Sequence, residues 1–277
     1  MERGLWLDGV RSELAEHVMK GAFQSNWEEY WLPELRVLLN GDEIDLELLS
    51  ESIRDVFLSA SGSGRSPEQA GTQWRRFIWC VLSVLSTDGD ELAVLGSPMS
   101  KRVLPEWIRQ RLRITIGEER GLSHDPDLVL IGIHRPQGLG AGSARMRSDS
   151  LREYLETGPE TVSSITVIWT KTNFNDLIQQ PMLWARISTL HQRGNNPEVR
   201  HAWVTVPSQR PEVFSPGTAP FNRAATFNAG SYWGLGRRPE FGMGSIFDMI
   251  PDWEERMPSL RTSSQGSVLC KELGLVD

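Results

Sequence analysis

The chain has 277 residues and a mass of 31.2 kDa, with 39% hydrophobic and 23% charged residues, a make-up that suits a folded globular protein and excludes a disordered one. A formal net charge of −7 and a sequence pI near 5.4 exclude a uniformly basic nucleic-acid coat but leave room for a local cationic cleft. No run reaches the roughly 18–20 apolar residues of a membrane span, no basic-then-apolar leader opens the chain, and Cys80 and Cys270 make neither a zinc site nor a disulfide scaffold. A cytoplasmic location without membrane contact is the expectation.

Residues 1–60 read as a helical region. Apolar positions recur at helical spacing over residues 10–23, 26–39 and 45–58, with Asn26 read as an N-cap and Asn40-Gly41 as a stop. The stripe Trp27, Tyr30, Trp31 and Leu35 suits core packing, and the same residue types also line nucleic-acid surfaces. Residues 59–64 (SASGSG) form the clearest link in the chain and divide the helical region 1–60 from an α/β region, 61–277.

Past the link, Ser66 caps a helix with Pro67 at its first position, running through residues 73–79 (QWRRFIW) to Leu85. Short strand signals follow at residues 91–95 and 111–116, with a turn or short helix at 105–109 between them. Residues 101–113 (KRVLPEWIRQRLR) are strongly basic, and Arg145, Arg147 and Arg152 form a second basic group; both are compatible with plain surface solvation and with phosphate contact. Residues 117–121 (GEERG) read as a loop before the strand 127–131 (DLVLI), at whose start His124, Asp125 and Asp127 cluster. The glycine-rich residues 136–147 (PQGLGAGSARMR) lack the GxxxxGK[ST] and GxGxxG patterns, which disfavours nucleotide binding. A loop over a cleft fits better, with Arg145 and Arg147 available to phosphates.

Residues 149–156 form a short helix capped by Asp149 or Ser150 and ended by Gly158-Pro159. The apolar, β-branched run 165–168 (ITVI) then reads as a buried strand with Lys171 near its end, and strand alternation puts Trp169 and Lys171 on one face. Asn173 and Asp176 supply turn and cap chemistry for a following helix, and residues 199–206 (VRHAWVTV) make a further strand. In the Asn-, Gly- and aromatic-rich residues 221–241, Asn228, Ser231, Arg237 and Arg238 have the chemistry to read base edges or phosphates; an aromatic-packed surface loop is the plainer reading. If the strands of Asp127 and Lys171 are neighbours, a carboxylate and an ammonium meet at one edge of a sheet. That is the start of a site for metal-assisted phosphodiester hydrolysis.

Pro126-Asp127, then Trp169-Thr170-Lys171, then a helix carrying Gln179 and Gln180 together resemble the PD-(D/E)XK nuclease superfamily. Residues 172–184 (TNFNDLIQQPMLW) are similar to the equivalent segment of some type II restriction enzymes, and the resemblance covers about residues 66–252. It implies a restriction-endonuclease-like α/β fold, a mixed central sheet flanked by helices and here preceded by a helical N-terminal region. It implies Asp127 as a ligand to Mg²⁺ and Lys171 as the group that orients water or stabilises the pentacovalent phosphorus. It further implies double-stranded DNA as partner, contacted by Arg145, Arg147, Asn228, Ser231, Arg237 and Arg238, and a homodimer or an active partner subunit.

Two positions depart from the family's pattern. Trp169 stands where an acid is expected, and an indole offers no lone pair to a hard cation. Arg75 aligns with the helix position that often carries a glutamate directed toward the metal. Glu153, Glu156 and Glu160 are the nearby acids available to replace the missing ligand. The expected function is therefore DNA binding on this fold, with metal-dependent hydrolysis weak or lost. If active, the chain is a Mg-dependent type II-like deoxyribonuclease. The alternatives are a catalytically inactive subunit or binding module that pairs with an active partner, and a helical adaptor using residues 1–60.

Overall fold

Ten residues of almost unbroken β character, VSSITVIWTK, make the longest strand and join the two halves of the sheet. A computed structural model gives the fold and describes residues 7, 9–10, 13, 18, 22–31, 33, 55, 57, 67–85, 92–96, 99–112, 114–115, 121–122, 126–137, 146–171, 199–205, 233–234 and 244–245. In chain order the strands are β1 (Leu92–Gly96), β2 (Ile114–Thr115), β3 (Gly121–Leu122), β4 (Leu128–Ile133), β5 (Val162–Lys171), β6 (Val199–Thr205), β7 (Trp233–Gly234) and β8 (Gly244–Ser245). Six of them form one sheet in the order β1-β4-β5-β6-β7-β8, and β2 pairs with β3 in a separate small hairpin-like sheet.

The sheet is mixed. β1 pairs antiparallel with β4 and β4 with β5, and from β5 onward every pairing is parallel. The composition of the strands accounts for their depth: LAVLG of β1 and LVLIGI of β4 are buried at every position. A continuous apolar run suits a strand covered on both faces, where an alternating one would leave a face to water. Helices lie around this sheet, so the architecture is mixed α/β, as expected. Among the described residues no helix is long and apolar enough to cross a membrane.

The helices are α1 (Ala22–Asn26), α2 (Pro67–Leu85), α3 (Met99–Val103), α4 (Glu106–Leu112) and α5 (Ser148–Glu156). Proline at the first position of α2 costs no hydrogen bond, because that N–H has no partner within a helix in any case. Trp74, Phe77, Ile78 and Leu82 give α2 its buried stripe. Two indoles tie it to the sheet: Trp74 donates to the carbonyl of Val204 on β6 at 3.3 Å, and Trp79 to that of Val94 on β1 at 3.0 Å. The thiol of Cys80, on the same helix, is fully buried, and burial pushes its pKa far up, which leaves it unreactive in the folded protein.

The N-terminal region packs on α2 through aromatics. Trp31 stacks on Phe77 at 4.2 Å, Phe57 meets Trp74 edge-on at 5.6 Å, and Phe23 and Trp27 extend the cluster. The stripe read at Trp27 and Trp31 is therefore core, and it is shared across residues 59–64, which lie outside the described residues.

Local readings need three corrections. Asn26 does not start a helix; α1 runs through it into a π-turn, Trp27–Trp31, whose tryptophans are buried against α2. Arg111 and Leu112, expected in a strand, close α4, and among the described residues of 111–116 the strand is Ile114–Thr115. Arg111 lies over the ring of Trp107 one turn earlier at 5.4 Å, and Trp107 donates to the carbonyl of Leu155 at 2.8 Å, so a contact within the helix and a tertiary hydrogen bond both favour the helical state. Helix α5 begins at Ser148 after Arg147 and has no side-chain cap from Asp149 or Ser150; its capping acceptor comes from Glu13, far away in sequence. Its exit behaves as expected: Gly158 adopts φ 152°, and a Cβ there would collide with the carboxylate of Glu160.

Gly96 offers a sharp test of packing at the end of β1. A Cβ at this position would stand 2.5 Å from the ring of Trp79, which is buried and held by its own hydrogen bond to Val94. Gly96→Ala is expected to destabilise the protein by roughly 1–3 kcal/mol, the range for overpacking a tight core. Urea denaturation reads this as a lower midpoint at unchanged slope. An unchanged midpoint would show that the indole can yield.

Candidate active site

Two adjacent strands set the site. The register pairs Leu128 of β4 with Ile168 of β5, and one further step places Asp127 across from Trp169. Lys171 closes β5 at this same end of the sheet, in register with Thr205 of β6. The fold thus brings Asp127 and Lys171 to one edge on neighbouring strands.

Asp127 is the first residue before β4, where that strand's backbone no longer serves β5. Its Oδ2 accepts the backbone N–H of Thr170 at 2.8 Å and the Thr170 hydroxyl at 3.2 Å. The carboxylate thereby completes the strand ladder, since a buried strand N–H needs an acceptor. Its other oxygen, Oδ1, faces Arg75 Nη1 of α2 at 3.8 Å, with the two side chains 32% (Arg75) and 26% (Asp127) exposed. Arg75, the residue aligned with a glutamate position by sequence, is therefore set against the carboxylate. Trp169 is 4% exposed, so the indole fills core space at the position where an acid was expected.

This donor set does not fit a magnesium ion. Mg²⁺ demands a near-octahedral shell of oxygens at short range, and carboxylates supply its protein ligands. Here one carboxylate is engaged by two hydrogen-bond donors and a guanidinium. Among the described residues no group of three or more His, Cys, Asp or Glu side chains is placed to hold a metal ion. His124 and Asp125 lie outside the described residues.

Glu153, Glu156 and Glu160 do not replace the missing acid, because they belong to the far end of the sheet. Glu160 sits just ahead of β5, whose length separates it from Thr170 by about 30 Å at ~3.3 Å per residue. Tyr154 donates to the carbonyl of His134, beyond the distal end of β4, and so puts the C-terminal part of α5 about 20 Å from Asp127 at the same rise. Glu156 is paired with Arg152 at 2.9 Å on the helix surface.

The basic groups are only partly described. Arg145, Asn228, Ser231, Arg237 and Arg238 lie outside the described residues, as do Gln179 and Gln180. Arg147 precedes α5 and donates from Nε to Glu13 at 3.1 Å. Arg102 of α3 reaches the same carboxylate at 2.6 Å, and the Ser148 hydroxyl donates to it at 2.5 Å. Glu13 therefore gathers one arginine from each basic segment at the start of α5. Nothing local in the sequence marks Glu13 or Thr170 for these roles, since both act on partners distant in the chain.

Compared with protein-family models, with curated proteins and with solved structures, the chain matches none of them.

Burial pushes the Glu13 carboxyl up, but the hydrogen bonds from Ser148, Arg147 and Arg102 outweigh it and hold its pKa below the usual glutamate range. A depressed folded-state pKa contributes stability that is complete above the unfolded value, near ~4.3, and is lost as pH falls through the lower folded value. The stability gap between the native chain and Glu13→Gln should be full at neutral pH and close as the medium is acidified below about pH 4.3. Denaturant midpoints of both chains across that range check this. A gap that stays constant on acidification would remove Glu13 from the network's energetics.

Proposed function

We propose that this chain is a DNA-acting protein of the restriction-endonuclease-like fold, which binds duplex DNA and whose metal-dependent phosphodiester hydrolysis is weak or lost. One observation carries the second half of the reading. The Asp127 carboxylate is taken up by Thr170 and Arg75, at the position where a nuclease of this kind would present acids to a metal. Support for the first half comes from the mixed sheet preceded by a helix, and from Asp127 and Lys171 at one end of neighbouring strands. The proposed DNA contacts are Arg145, Arg147, Asn228, Ser231, Arg237 and Arg238.

Chemically the site retains the means to hold a phosphodiester and lacks the means to activate water on it. Arg75 brings positive charge to the edge where β5 ends at Lys171, which suits docking of a phosphate. Hydrolysis at a useful rate needs a nucleophile generated or oriented beside the phosphorus, and in this superfamily a bound metal ion supplies that. The buried indole of Trp169 favours a second form of the proposal, in which this chain is an inactive subunit paired with an active partner. A centre filled by core packing does not regain a ligand through a side-chain rotation.

Two measurements test the reading together. Mixed-sequence duplex DNA incubated with the chain and Mg²⁺ or Mn²⁺ should remain uncut while being bound. Neutralising any one phosphate-contacting residue among Arg145, Arg147, Arg237 and Arg238 should shrink the log–log salt slope of binding by about 0.9. Strong cutting that disappears in Asp127→Ala would establish an active nuclease. No binding at low salt, or indifference to charge reversal at all four arginines, would remove the DNA reading.

A further inference from the structure

We infer that Arg75 is a tethered cation standing in for the divalent metal at Asp127, so that this site docks a phosphodiester without a metal ion. The inference rests on the duplex-DNA reading for the identity of the phosphodiester, and on local geometry for the exchange of one cation for another.

Arg75 follows Trp74 directly, and the Trp74 indole is tied to the carbonyl of Val204 on β6. The backbone that carries Arg75 is thereby fixed over the sheet next to β5. From there the guanidinium meets Asp127 Oδ1 at 3.8 Å, an ion-pair distance well beyond that of a hydrogen bond. Asp127 thus orients the fork without consuming its N–H donors, and about a third of the Arg75 side chain remains open to solvent. The neighbouring residue shows the contrast: Arg76 lies over the ring of Phe23 at 5.8 Å, within the N-terminal aromatic cluster. Of the arginine pair, Arg75 is the member turned to the site.

A guanidinium offers five donors in a planar fork, which matches the oxygens of a phosphate. It does so without the oxygen shell a magnesium ion requires. A metal approaching Asp127 meets a like charge beside the oxygen it would bind, and finds the other oxygen occupied by Thr170. Asp127 is then a positioning residue for Arg75. The oxygens of the bound phosphodiester meet the arginine.

The test has a metal arm and a DNA arm. Mn²⁺ binding, followed by the loss of its free paramagnetic-resonance signal, is compared for the chain as given, Arg75→Glu and Arg75→Glu with Asp127→Asn. The chain as given should show no saturable binding at this site. Arg75→Glu should acquire saturable Mn²⁺ binding, at least tenfold tighter than the residual binding of the native chain, by setting a second carboxylate beside Asp127, and the added Asp127→Asn should abolish it. In the DNA arm, binding to a mixed-sequence duplex should be no tighter in Mg²⁺ than in EDTA, since Mg²⁺ only competes for the phosphates. Arg75→Gln should shrink the salt slope by about 0.9, whereas Asp127→Asn should weaken binding several-fold and leave the slope unchanged. Thermal unfolding of each variant confirms that it is folded.

Equal Mn²⁺ binding by the chain as given and by Arg75→Glu overturns the inference, whether or not DNA binds. A duplex affinity that is raised by Mg²⁺, or a slope unmoved by Arg75→Gln, overturns it as well and leaves the DNA-binding reading intact. Absence of duplex binding under every condition removes that reading and the phosphodiester role with it; the metal arm then decides the exchange of cations alone.

Discussion

The hydrogen bonds from Thr170 to Asp127 occupy the point where β4 has ended and β5 continues. A backbone N–H of a buried strand cannot be left without an acceptor there, and the first available oxygen is the carboxylate of the residue just before β4. This single need fixes where Asp127 points, and through Asp127 it fixes what else gathers at that end of the sheet. The geometry of the candidate site is in this sense a by-product of finishing a strand ladder. An aspartate that completes a ladder is less available to a metal than one projecting freely from a loop.

Helix α2 supplies the opposing half of the site. Its tryptophans bind it to β1 and β6 at separated points, and the aromatic cluster from Phe23 to Phe57 covers it from outside. A helix held from both sides has little latitude to slide, so the charge it delivers to Asp127 has a defined position. The described residues of the N-terminal region therefore bear on the site by pinning the helix on which Arg75 stands. A second, separate network around Glu13 ties the same region to α3 and α5.

The sequence made the strands around Asp127 and Lys171 legible because unbroken apolar runs such as LVLIGI and ITVI have few alternatives to a buried strand. Helix α2 was legible at both ends, from Pro67 at its start and the loss of periodicity after Leu85. The α/β class followed from these elements, and so did the position of Arg75 as a residue out of pattern. Contacts between segments remote in the chain were not legible. The capping of α5 by Glu13, the Trp107–Leu155 bond beside Arg111 and the packing of the turn after Asn26 on α2 all involve partners distant in the chain, from 48 residues for Trp107 to 135 for Glu13, which local propensity cannot register. The glutamates at 153, 156 and 160 looked close to the site by sequence because a strand is short in residues; in space it is long.

The change of pairing sense at β5 bears on how this protein is assembled during synthesis. The residues of the Asp127 pair come from the chain up to Lys171: the helix that carries Arg75, the antiparallel trio β1, β4 and β5, and Thr170. The parallel partners β6, β7 and β8 are all translated later, and a parallel neighbour cannot dock until an intervening crossover has been laid down. Closing those longer connections is the slow part of forming such a sheet. On a ribosome, Arg75 and Asp127 are therefore both made while one side of β5 is still an open edge, and the Trp74–Val204 bond that fixes α2 closes only when β6 docks. For that interval β5 presents unpaired backbone groups to its surroundings, and its nascent edge is the place where a chaperone or a second emerging chain would find this protein most exposed.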